Sequence, residues 1–274
     1  MTASSAVAGA ALERLPTSLR GFLERGLPLL TADSRVIGVA AGGSVATGGT
    51  DEFSDLDLVI AVDPGAYPGV LAERRAIAEG LGQLLAAFTG EHVGETRLLI
   101  CLYDEPLLHV DLKFVALEDA AERVEDPIVL FERDGRLSAV LAGGVARFPQ
   151  PDLQWIEDRF WTWLHYLTLK LLRGELFDVL EGLGFLRARV LGPLVLLRAG
   201  ARPSGVRRIE FAAPDAVPEL ARTVAAYDHG SAHAALSAVV VMYRRLRDEL
   251  ATPGLKRGSA AEAAAYELFV KSTP

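Results

Sequence analysis

Two aspartates set two residues apart in an otherwise apolar run, Asp55-Leu56-Asp57-Leu58-Val59-Ile60, constrain this chain more than any other feature. Side chains alternate along an extended strand, so Asp55 and Asp57 share one face while Leu56, Leu58 and Ile60 share the other. The apolar face demands a core, which makes LDLVIAVD (56–63) a strand in a sheet. The two carboxylates repel each other, and their burial is costly unless a cation is present. A divalent ion removes that conflict, and Mg²⁺ favours one or two protein carboxylates plus phosphate oxygens. Upstream, after the β-rich run RVIGVAA (35–41), stands Gly42-Gly43-Ser44, with ten residues between Ser44 and Asp55. Glycines let a backbone come close to a ligand and Ser44 adds a hydroxyl donor, so this turn suits a phosphate cradle.

A third acid follows in LLHVDLKFVAL (107–117), where Leu108, Val110, Leu112 and Phe114 alternate with polar residues. Asp111 therefore belongs to the polar face of a strand whose other face is core. If that strand neighbours the Asp55/Asp57 strand, three carboxylates converge, a set able to hold metal and to deprotonate an attacking hydroxyl. TRLLICLYD (96–104) and IVLFERD (128–134) are further strand candidates. Helical spacing is expected early, through Leu12, Leu15, Leu19, Phe22 and Leu23, ending near Gly26-Leu27-Pro28. It is expected again over 70–88, through Leu71, Ile77, Leu81, Leu84, Leu85 and Phe88.

Beyond Phe148-Pro149-Gln150-Pro151 the pattern changes to helices, expected at 152–173, 175–198, 215–227, 231–250 and 258–271. The chain is read as α+β: a small mixed β-sheet domain with flanking helices at 1–148, then an all-helical domain at 149–274. The helix at 152–173 carries all three tryptophans, which at this spacing read as packing. Lys170, on its Arg159–Trp163–Tyr166 face, is a candidate for reaching a nucleotide.

Charge sharpens the reading. Residues 1–148 carry 22 acidic and 12 basic side chains, a net of −10 within an overall −8. An acidic chain without basic runs is a poor match for a nucleic-acid backbone, so no stable nucleic-acid partner is expected. The single cysteine, Cys101, excludes an internal disulfide and a Cys-rich zinc site, and a reducing cytoplasm fits best. MTASSAVAGAAL lacks a basic start and a compact apolar segment, so no signal peptide is expected. No charge-free run reaches the roughly 18 apolar residues of a spanning helix, so no membrane partner is expected either.

GGSVATGGTDEFSDLDLVI resembles the signature of the nucleotidyltransferase superfamily related to DNA polymerase β: Gly-Ser, a spacer of ten residues, then an Asp-hydrophobic-Asp-hydrophobic strand. The chain looks most like bacterial antibiotic nucleotidyltransferases acting on aminoglycosides or lincosamides, which similarly join a small α/β domain to a helical one. The resemblance covers 35–117 by motif and the rest by architecture. It implies Mg²⁺-dependent transfer of a nucleoside monophosphate, AMP from ATP, to a hydroxyl of a small molecule, with release of pyrophosphate. By motif it implies that Gly43 and Ser44 meet the triphosphate and that Asp55 and Asp57 bind Mg²⁺. Asp111 matches the third acid, often Glu in antibiotic-modifying relatives, and its role stays open between metal ligand and base. The rival readings are AMP transfer to a protein partner, as in antitoxins, and a non-catalytic nucleotide-binding module.

Overall fold

The computed structural model describes residues 9 and 12–272; the expectation for the first dozen residues falls almost wholly outside them. The chain divides into two compact units, Met1–Phe148 and Pro149–Pro274.

The first unit is built on a six-stranded mixed sheet, in the order β3-β4-β5-β2-β1-β6. Its strands are β1 (Val36–Ala41), β2 (Leu56–Val62), β3 (Gln83–Gly90), β4 (Glu95–Asp104), β5 (Leu108–Ala116) and β6 (Ile128–Glu132). β2 and β5 run parallel, whereas the other neighbours pair antiparallel. Helices α1 (Thr17–Ala32) and α3 (Tyr67–Gly80) flank the sheet, with the short α2 (Gly43–Thr47) and α4 (Arg136–Ala142) nearby. One sheet face is a continuous core: Leu56, Leu58 and Ile60 of β2 join Val110, Leu112 and Phe114 of β5 and residues of α1 and α3. The opposite face is covered only in part. Ala61 and Val115 pack there with Leu137 of α4, whereas the start of β2 and β5 on that face bears Asp57 and Asp111.

Two expectations are corrected here. The early helix does not stop at Gly26-Leu27-Pro28; α1 runs through Pro28 to Ala32. Its buried stripe Leu19, Phe22, Leu23, Gly26 and Leu30 continues past the proline, and that packing outweighs the one lost backbone hydrogen bond. The helix expected over 70–88 ends at Gly80, and 83–90 is the edge strand β3. Pairing with β4 supplies the backbone partners, with Leu84 opposite Tyr103 and Ala87 opposite Cys101. A run as short as Leu84–Phe88 fits either period, so neighbours decide. Cys101 is buried, which pushes its thiol up to about 12 and leaves it no role as a nucleophile.

The second unit is helical: α5 (Leu153–Leu172), α6 (Leu176–Leu186), α7 (Gly192–Arg198), α8 (Ile209–Ala212), α9 (Val217–Ala221), α10 (His229–Leu250) and α11 (Ser259–Lys271). The helix expected at 175–198 is interrupted by a wide turn, Arg187–Leu191, in which Gly192 N–H donates to the Arg187 carbonyl. Pro193, which lacks an N–H, accounts for that turn. The helix expected at 215–227 shrinks to α9, because the Thr223 hydroxyl donates to the Leu220 carbonyl and Arg187 donates to the Thr223 carbonyl. Asp152 and Asp228 cap α5 and α10 by accepting from Trp155 and Ser231 N–H groups. Among the described residues no helix is long and apolar enough to cross a membrane.

Packing in this unit centres on a buried acid. Glu157 accepts from Tyr243 Oη (2.5 Å), Gly258 N–H (3.1 Å), Trp161 Nε1 (3.2 Å) and Arg247 Nη1 (3.4 Å). Phe160 stacks on Tyr243 beside it, with ring centroids 3.7 Å apart. Burial alone would raise the Glu157 pKa. The donated hydrogen bonds from Tyr243, Trp161 and Gly258, with the Arg247 charge, outweigh it and hold the group below the usual carboxylate range. Glu157→Ala leaves these donors facing a void, so the second unit should lose about 3 kcal/mol in denaturant unfolding. All three tryptophans lie in this unit, which makes their fluorescence its reporter. In the wild type the carboxylate's contribution is complete above its unfolded pKa of about 4.3 and fades as pH falls through the lower folded value. A melt unaffected by the substitution would remove Glu157 from this account.

Candidate functional site

The site forms where the uncovered start of β2 and β5 meets the Gly42-Gly43-Ser44 turn. Parallel pairing sets Asp57 directly beside Asp111, with Leu56 beside Val110 and Leu58 beside Leu112 on the core face. Neighbouring strands lie about 4.8 Å apart, so two like charges share one small patch of sheet. Asp55 is half-buried and precedes the first residue of β2 by one position. The loop that delivers it is ordered by Asp51, which accepts from Phe53 N–H (3.0 Å) and Ser54 Oγ (2.9 Å).

The turn is fastened to the same strand. Gly42 N–H donates to the Asp57 carbonyl at 2.9 Å. Gly43 takes φ +58°, and a Cβ placed on it would lie 1.9 Å from Asp57 Oδ2. Glycine is therefore demanded twice at position 43, by backbone conformation and by the carboxylate against it. The next residue, Ser44, has a buried Oγ with no hydrogen-bond partner among the described residues. A buried hydroxyl without a partner is costly, and its place beside a Gly-rich turn leaves it available to a ligand.

Two acidic-site neighbours escaped the reading of the sequence. His109 Nε2 lies 2.9 Å from Asp111 Oδ1, on the same strand face at a spacing of two. That spacing is visible in His109-Val110-Asp111. Glu125 accepts from Gly43 N–H at 2.6 Å across 82 residues of sequence, and no local pattern announces it. Lys113, two residues past Asp111, pairs with Glu95 at 2.8 Å. Arg97, and then Lys113, hold the Glu95 carboxyl down to about 2 against the opposing effect of burial.

Lys170 belongs to the second unit, where its ammonium donates to Glu175 and to Asp178 (3.0 Å) and lies 5.3 Å from the Tyr166 ring centroid. These carboxylates, Glu175 first, raise its pKa. To meet a nucleotide it would have to exchange both of them for phosphate.

Among the described residues, no three His, Cys, Asp or Glu side chains gather into a group that could hold a metal ion. The adjacent Asp57 and Asp111, with Asp55 beside the strand start, are nevertheless the hard oxygen donors that a Mg²⁺ ion takes, one or two at a time, together with phosphate. The Ser44 hydroxyl, without a partner among the described residues, offers that phosphate a donor beside the carboxylates. The residues fit the group.

Residues 24–126 match the family model described as nucleotidyltransferase domain, a span that contains Gly43, Ser44, Asp55, Asp57, Asp111 and Glu125. Among solved structures, an aminoglycoside 6-adenyltransferase from Bacillus subtilis is similar over 93% of this chain and 98% of its own, at 16% identity and a TM-score of 0.39. A nucleotidyltransferase-like protein from Exiguobacterium sibiricum 255-15 is similar over 81% of this chain and 74% of its own, at 17% identity and a TM-score of 0.38. No curated protein matches the chain.

Gly43→Ala should displace Asp57 and strain the turn, at a cost of about 1–3 kcal/mol in the unfolding of the first unit. Calorimetry of the full chain measures it. An unchanged melt would mean that the turn relaxes freely and that the glycine is not held by Asp57.

Proposed function

With a nucleotidyltransferase domain at residues 24–126 the chain is a nucleotidyl-transferring enzyme, and we propose that it moves AMP from ATP to a hydroxyl of a small cationic molecule. The observation that carries the chemistry is the register that sets Asp57 against Asp111 beside an unpartnered Ser44 hydroxyl.

Gly43 and Ser44 bind the triphosphate by donating from backbone and hydroxyl. Asp55, Asp57 and Asp111 are the candidate ligands of Mg²⁺. When bound, the ion offsets phosphate charge and stabilises the additional charge of the transition state. Asp111 accepts the proton of the acceptor hydroxyl as its oxygen bonds to the α-phosphorus. The bond from that phosphorus to the bridging oxygen breaks in line, and pyrophosphate leaves. His109 orients the Asp111 carboxylate through their 2.9 Å contact, so that one oxygen remains directed at the acceptor.

Two features support a cationic acceptor. The net charge of −10 over residues 1–148 attracts cations and repels nucleic acid, although salt partly screens it. The second unit contains a cavity of about 310 Å³ lined by Trp163, Tyr166, Phe185 and Glu181, and by Asp178, whose charge Lys170 offsets. Aromatic faces with the Glu181 carboxylate suit a ring carrying ammonium groups. A cytoplasmic location, where ATP is available, belongs to the same reading.

The test is a screen of amino-sugars, polyamines and neutral polyols with Mg-ATP, following pyrophosphate release. Transfer to a cationic hydroxyl compound is expected. Asp57→Asn should lower it by about 10²–10³-fold, the usual worth of lost transition-state charge stabilisation. Asp111→Asn should lower it by about 10²–10⁴-fold, with Mg-ATP binding retained where Asp111 acts as the base and reduced where it ligates the metal. Labelling of a co-purified protein with no small acceptor used would replace the acceptor claim. Near-wild-type turnover in both variants would overturn the site.

A further inference from the structure

Glu125 stands where a ligand should. Its Oε1 accepts from Gly43 N–H at 2.6 Å, and the same oxygen lies 3.1 Å from where a Cβ on Gly42 would sit. A carboxylate thus lies against the glycine pair from one side while Asp57 Oδ2 crowds Gly43 from another. The turn therefore has one donor engaged by an internal anion and one, Ser44 Oγ, left unpartnered. The segment that carries Glu125 is anchored. Arg123 donates to the carbonyls of Leu141 (2.9 Å) and Gly144 (3.1 Å), and pairs with Asp126. Arg147 N–H donates to the Arg123 carbonyl at 2.9 Å, which ties the same segment from its other side.

We propose that Glu125 is a built-in competitor for the nucleotide, a carboxylate that holds the Gly43 amide until a phosphate group displaces it. One N–H cannot serve a carboxylate and a phosphate oxygen at full strength, and the two anions repel each other over so short a distance. Arg123 anchors the backbone, so release is a rotation of the half-buried Glu125 side chain away from Gly43. The contact sets a threshold of nucleotide concentration, and it keeps the cradle closed to weaker anions. This inference rests on the nucleotide-binding reading of the turn and adds a regulatory element to it.

The experiment is calorimetric titration of the full-length wild type, Glu125→Gln and Glu125→Ala with Mg-ATP and with inorganic tripolyphosphate without metal. Both variants should bind both ligands more tightly than wild type. Gln, which loses only the charge, should gain about threefold, and Ala, which loses the acceptor too, about tenfold. Equal affinities in all three proteins overturn the competition and leave the nucleotide reading intact. Weaker Mg-ATP binding in the variants also overturns it, by making Glu125 a part of the site. Failure of all three to bind either ligand overturns the nucleotide reading together with the inference. Thermal melts of the variants without ligand report folding separately, and the two substitutions guard against one of them misfolding.

Discussion

Everything proposed for this chain depends on one pairing: Asp57 of β2 beside Asp111 of β5, two like charges in register on parallel strands. Sheets do not place carboxylates side by side for stability, because directly opposed like charges are unfavourable. The fold absorbs the cost by putting both at the strand starts, off the part of the face that Leu137 and α4 cover. The opposite face of the same strands is fully buried, with Leu56, Leu58, Val110 and Leu112 between 0% and 2% exposed. Alternation thus does two jobs at once. The apolar residues fix the register, and the register brings the acids together.

The turn at 42–44 is tied into the same arrangement. It is held by the backbone of Asp57, shaped by the side chain of Asp57, and engaged by Glu125 from the loop that leads into β6. Three separate stretches of sequence therefore meet at one glycine.

Much of this was legible in the sequence, and the reason is periodicity. β1, β2, β4, β5 and β6 carry alternating or fully apolar runs bounded by turn residues, and the Asp-Leu-Asp-Leu pattern declares which side faces the core. β3 was not legible, because Leu84, Leu85 and Phe88 satisfy helical spacing and only the β4 partner decides between the two. The end of α1 was misjudged because a proline reads as a stop, while the buried Leu30 that carries the helix past it is seen only in packing. At the site, Gly43, Ser44 and the three aspartates follow from local pattern and chemistry. Glu125 does not, since its contact spans 82 residues and rests on how Arg123 anchors a loop. Lys170 read as a candidate for reaching a nucleotide, yet Glu175 and Asp178 at the start of α6 pair with it.

The central claim is that the Asp57–Asp111 pair is a charge conflict kept for a cation and phosphate. Scanning calorimetry of the wild type and of the double variant Asp57→Asn/Asp111→Asn, each without ligand and with saturating Mg-ATP, tests it most directly. The account predicts opposite signs. Without ligand the neutral variant melts at or above the wild type, because the repulsion is gone. With Mg-ATP at a hundredfold excess over its dissociation constant the wild type gains about 2.7 kcal/mol and the variant gains little. A variant that is weaker without ligand, and is stabilised by Mg-ATP as much as the wild type, would contradict the account.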